Sequence, residues 1–127
     1  MTESAKILPN DIDLRIKVIF EGQLMLGPGK ADLLELIRET GSISAAGRAM
    51  SMSYKRAWSL VEEMNAAFRD PLVASVRGGA QGGGAHLTDA GEAVLAHFRK
   101  LQDITAEAGA ARINALQDML KDMAHEK

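Results

Sequence analysis

Cysteine is absent from this chain of 127 residues, which excludes disulfides and thiolate metal sites. Aromatic residues make up only 4% of the sequence, too few for the stacked platforms on which many single-strand binders hold bases. No stretch approaches the ~18 consecutive apolar residues of a membrane span, and the N-terminus lacks the basic-then-apolar layout of a secretory signal. Neither sign of charge dominates: the formal net charge is -2, so any nucleic-acid surface has to be local rather than global. A soluble, cytoplasmic protein is the expectation, and its 46% hydrophobic content suffices for one modest core.

Familiar catalytic and cofactor patterns are missing as well. Gly79 to Gly84 reads GAQGGG, which does not space its glycines for a dinucleotide pyrophosphate. Gly29-Lys30 is followed by Ala31 where a phosphate loop needs Ser or Thr. His86, His97 and His125 lie far apart without the paired acids or short spacing of a zinc site. No serine sits in a nucleophile-elbow context. No enzyme activity, metal or cofactor is therefore expected.

What the chain does have is concentrated between Gly41 and Asn65, GSISAAGRAMSMSYKRAWSLVEEMN. A helix is expected from a serine cap at Ser42 or Ser44 to Met50, followed by a break near Ser51 and Met52 and a second helix capped by Ser53. Ala57, Leu60, Val61, Met64 and Phe68 recur at helical spacing and predict one inward stripe. Ala46 and Ala49 are small enough to let the two helices cross closely. From Gly41 to Val61 the only charged residues are Arg48, Lys55 and Arg56, so no acid there repels a duplex. Lys55 and Arg56 would stand at the positive end of the helix dipole, which costs roughly 0.3–1 kcal/mol each unless an anion joins them. The major groove, with phosphates at its rim, is such a partner.

Around this pair the expected order is a hairpin from Leu14–Phe20 and Gln23–Leu26, a break at Gly27-Pro28-Gly29, and a helix from Ala31 to a C-cap at Gly41. Asp70-Pro71 is expected to stop the second helix of the pair. Leu72–Val76 and Ala85–Leu87 then read as strands flanking a glycine-rich tip, a wing whose backbone N–H groups can approach phosphates without a Cβ in the way. Thr88 is expected to cap a long helix with Val94, Leu95, Phe98, Leu101 and Ile104 on one face and a weak point at Gly109. Ile113, Leu116, Leu120 and Met123 continue it as a heptad-like seam that two copies could bury together; folding back on its own domain is the alternative. The fold class is mainly α with small β. Residues 1–88 are expected to form a winged helix-turn-helix domain and 89–127 a helical dimerisation extension.

The Gly41–Asn65 run, followed by DPLVASVRGGAQGGGAHLTDAGEAVL, resembles the winged helix-turn-helix domain of molybdate-responsive ModE-type regulators, and more distantly that of LysR-type regulators. The segments Ser53 to Trp58 and Arg77 to Thr88 favour the ModE type, and the likeness spans roughly Leu14 to Leu101. It implies a homodimeric, sequence-specific regulator of transcription that reads an inverted-repeat operator in double-stranded DNA. Mapped by position, Ser53, Tyr54, Lys55, Arg56 and Ser59 take the reading role. Ser44 and Arg48 join them on the DNA-binding face. Arg77, Gly78, Gly79, Gln81, Gly82 and Gly83 meet the backbone. Trp58 is open between core packing and an edge contact with DNA. Full-length members carry a C-terminal oxyanion-binding region, whereas this sequence stops soon after the long helix; the expectation is a regulator without a recognisable molybdate-binding domain. The competing expectation from the residues is a winged-helix module that offers its basic helix to an acidic protein.

Overall fold

The computed structural model describes residues 8–76 and 84–120. It divides into two compact units, one formed by Arg15–Arg99 and the other by Met1–Leu14 with Lys100–Lys127.

The first unit opens with an antiparallel hairpin of β1 (Val18–Phe20) and β2 (Leu24–Leu26), in which Ile19 faces Met25. The ladder is shorter than alternation from Leu14 suggests. Its register would next pair Lys17 with Gly27 and Ile16 with Pro28, but Pro28 has no N–H to give and already opens a helix. That helix, α1 (Pro28–Thr40), begins three residues before the expected start, because proline is well placed in a first turn whose N–H groups are unpaired anyway. It ends as expected at Gly41, whose φ of 73° is the left-handed conformation that glycine adopts without strain. Gly41 donates its N–H to the Ile37 carbonyl over 2.8 Å.

Two serine-capped helices follow. In α2 (Ile43–Ala49) the Ser42 hydroxyl accepts the Ala45 N–H, and in α3 (Tyr54–Ala67) the Ser53 hydroxyl accepts the Arg56 N–H, each over 3.0 Å. The turn between them is closed by the Gly47 carbonyl, which accepts N–H bonds from Met50 and Met52, and by Ser51 in a left-handed conformation. The close crossing is made differently from expectation. Ala46 is buried, but Ala49 is exposed, and the tightest approach is at Gly47, where a Cβ would stand 2.8 Å from that of Ala57. Ala57, Leu60, Val61 and Met64 form the predicted inward stripe of α3; Phe68, its C-cap, is half-buried and already extended. The helix therefore stops three residues short of Asp70-Pro71.

Asn65 explains part of that ending. Its side-chain carbonyl accepts the N–H groups of Leu72 and Val73 at 2.8 and 3.1 Å, and its amide donates to the Val73 carbonyl, so the chain is turned onto β3 (Val73–Val76). β3 pairs antiparallel with β4 (Gly84–Leu87), Val73 opposite Leu87 and Val76 opposite Gly84. Two bonds fix the base of this hairpin: Ala85 donates its N–H to the Gly41 carbonyl, and Thr88 donates its N–H to that of Leu72. The Thr88 hydroxyl also reaches the Pro71 carbonyl at 2.7 Å while accepting the Gly91 N–H, capping α4 (Asp89–Asp118).

Helix α4 runs through Gly109 without interruption. Its residues 89–99 close the core of the first unit, where Leu95 and Phe98 are 3% and 2% exposed beside Leu33, Leu34, Ile37, Val61, Met64 and Leu72. Arg99 anchors this stretch to α1 through Asp32 at 2.9 Å and Glu35 at 2.6 Å. Burial opposes the charge of its guanidinium, but the two carboxylates outweigh that and raise its pKa. A hairpin, three helices with the last two joined by a tight turn, a β-wing and a long closing helix make this a winged helix-turn-helix fold.

In the second unit α4 ends at Asp118, short of the expected seam residue Leu120; Leu116 on the helix is 63% exposed and Leu120, in the bend after it, 70%, while Gln117 donates to the Asp11 carboxylate over 3.1 Å. Met123 lies outside the described residues. No helix among the described residues is long and apolar enough to cross a membrane.

Candidate nucleic-acid interface

Helix α3 sorts its N-terminal residues onto three lines because successive side chains turn by about 100°. With Ala57 inward, Tyr54 and Trp58 fall on the flank facing the wing, and Arg56 and Leu60 fall on the opposite flank. Lys55 and Ser59 lie between the flanks, pointing outward, and both are exposed. Cap geometry thus places a short polar strip at the open end of the helix.

The charges on this strip are not used inside the protein. Among the described residues, no ion pair engages Arg48, Lys55 or Arg56, and all three are exposed. The first turn of α3 contains no acid, so Lys55 and Arg56 face the positive end of the dipole without compensation. Arg48 differs, since it occupies the last turn of α2, where a cation is favourable. Ser53 is exposed and its hydroxyl oxygen accepts the Arg56 N–H, which leaves the hydroxyl proton available to an outside acceptor.

On the wing side, a groove runs between the starts of α2 and α3 and the strands, lined by Ser44, Tyr54, Trp58, Ser75 and Val76. Ser44 is half-buried and hydrogen-bonded to Ser42. Tyr54 and Trp58 meet edge to face with centroids 6.1 Å apart. Trp58 is partly buried and packs against the core, and it also borders the groove. Arg77, Gly78, Gly79, Gln81, Gly82 and Gly83 lie outside the described residues. Among the described residues, no group of three or more His, Asp or Glu is placed to hold a metal ion.

The residues expected at a dimer seam separate sharply. Leu95 and Phe98 are committed to the core of their own unit, Val94 and Ile113 are half-buried, and Leu101, Ile104, Leu116 and Leu120 are exposed. Helical spacing shows which residues share a line but not how far along a helix the core extends. Two residues that shape the interface escaped the sequence reading. Gly47 could have been suspected as the single glycine inside a short helix. Asn65 carries no local signal, because its partners lie seven and eight residues on in an irregular stretch.

Comparison with known proteins places this geometry. Residues 30–92 match the family described as bacterial regulatory helix-turn-helix protein, lysR family. The chain is 46% identical over 70 residues, 55% of its length, to the molybdenum transport protein ModE of Azotobacter vinelandii. It is 43% identical over 88 residues, 69% of its length, to the molybdenum-pterin-binding protein MopB of Rhodobacter capsulatus. It is 31% identical over 106 residues, 84% of its length, to the DNA-binding transcriptional dual regulator ModE of Escherichia coli K12. These matches span 26%, 31% and 39% of the relatives' own lengths.

Proposed function

The chain carries a helix-turn-helix domain of the ModE type, and from that premise we propose that it is a sequence-specific regulator of transcription that binds double-stranded DNA. Helix α3 enters the major groove by its N-terminal end, with Lys55 and Ser59 toward base edges and Tyr54 and Ser53 at the rim. Ser44 and Arg48 of α2 approach the backbone, as does the wing with its segment from Arg77 to Gly83. The observation that carries this reading is the pair of exposed cations at the acid-free start of α3, unbalanced by any ion pair among the described residues. Such an arrangement costs stability in the free protein and gains when a polyanion is brought against it.

The protein acts as a homodimer. Leu101, Ile104 and Leu116 leave apolar surface on α4, with Leu120 exposed just beyond its end, and a second copy of the chain can cover it. A two-fold dimer matches an inverted repeat with half-sites about 10 base pairs, or a multiple of that, between centres.

Selection of bound duplexes from a random pool, followed by anisotropy titrations across salt, tests the reading. A recovered inverted repeat and an affinity that falls steeply with salt are expected. Recovery of no common sequence, with binding indifferent to salt, would refute it. Lys55→Ala should cost about 1–3 kcal/mol on the recovered site.

A further inference from the structure

The turn of α3 that sends Lys55 outward sends Arg56 to the side away from the wing. There Arg56 lines a shallow groove together with Lys17, which precedes β1, and Lys30, in the first turn of α1. Three cationic residues, from the segment before β1, from α1 and from α3, thus line one groove together with Met25, Met52 and Leu60. No Asp or Glu is among the lining residues, and the first turn of α1 has no acid. Glu63 approaches Lys30 at 3.7 Å and balances that one charge. Lys17 and Arg56 are exposed, and among the described residues no ion pair engages either. Above Gly29 there is open space: a Cβ there would meet nothing within 4 Å.

Like charges around one groove repel when only one of them, Lys30, has an acid beside it, and the repulsion is relieved when an anion lies between them. We propose that this groove grips a phosphate of the DNA strand on the side of α3 opposite the wing, so that Arg56 and Lys17 serve affinity while Lys55 serves sequence choice. The proposal rests on the DNA-binding reading and deepens it. Helix α3 is then bracketed by backbone contacts on both flanks, and the two adjacent cations of its first turn do different work. A purely structural role for Lys17, its stem lying over Gly27, involves only the methylenes and predicts no effect of removing the charge.

The test uses the full chain, a duplex selected by the protein and a scrambled duplex of equal length, titrated by anisotropy over a range of salt. Lys17→Gln and Arg56→Gln keep long polar stems and remove the charges. Each should weaken both duplexes by a roughly equal factor and flatten the slope of log affinity against log salt by about 0.9 per lost contact. Lys55→Gln should instead shrink the ratio between the two duplexes. Gly29→Glu, which places an acid in the open space, should weaken both duplexes alike, and circular dichroism should show all four variants folded. Unchanged affinity and slope in Lys17→Gln, or a loss in Arg56→Gln confined to the selected duplex, would overturn the groove assignment while leaving DNA binding intact. Failure of the unaltered protein to bind either duplex in a salt-dependent way would remove the DNA-binding reading and the groove with it.

Discussion

The aliphatic side chains of the helices differ in burial on the two sides of Arg99. Before it the helices give most of theirs to the core, where Leu33, Leu34 and Ile37 are fully buried and Phe98 nearly so, although Ile19, Phe20, Tyr54 and Val76 stay exposed. Beyond it, Leu101, Ile104, Leu116 and Leu120 keep 38% to 70% of their surface in solvent. Both stretches carry amphipathic periodicity, so the pattern alone does not say whether the apolar face is covered by the same chain or by another. Burial decides. The first stretch supplies folding energy, and the second leaves apolar surface in solvent.

Substitutions can break this contrast at different depths. Phe98→Ala removes a ring from a packed site and should cost about 3–5 kcal/mol in thermal or urea unfolding; a loss near zero would mean that residues 89–99 are not part of the core. Gly47→Ala should cost roughly 1–3 kcal/mol, because a methyl group 2.8 Å from that of Ala57 forces α2 and α3 apart, and DNA binding should fall with it. An unaltered melting temperature there would show that the crossing is looser than described. Asn65→Ala leaves the Leu72 and Val73 N–H groups without their acceptor and should cost about 1–3 kcal/mol, with hydrogen exchange of those two amides rising first. The smallest effect on folding is expected of Leu116→Asp with Leu120→Asp, within about 0.5 kcal/mol for dilute protein, since both side chains are solvated. Sedimentation should nevertheless show the double variant as a monomer. A dimer that survives both substitutions would move the interface off this seam.

Features set by local chemistry could be read from the residues in advance. Ser42, Ser53 and Thr88 accept cap bonds as expected, Gly41 closes α1 in the left-handed conformation, and the α3 stripe of Ala57, Leu60, Val61 and Met64 is buried. Features set by distant partners could not. The hairpin is shortened because its next pairing would fall on Pro28, and the residue that admits the helix crossing is Gly47 because Ala57 happens to oppose it. The groove of Lys17, Lys30 and Arg56 joins positions up to 39 apart, a juxtaposition that no local spacing announces. Charge is legible in the same uneven way: Lys55 and Arg56 are neighbours in the chain, yet helical rotation assigns them to different surfaces.

The hydrogen bonds that close the mouth of the wing hairpin have a consequence for the segment beyond it. Ala85 is tied to Gly41, and Thr88 to Pro71 and Leu72, by groups lying wholly outside residues 77–83. These bonds between described residues hold the flanks of the hairpin to the helical body. Both strands thus leave the body already anchored, so the geometry with which the hairpin departs from the domain is set by Gly41, Pro71 and Leu72.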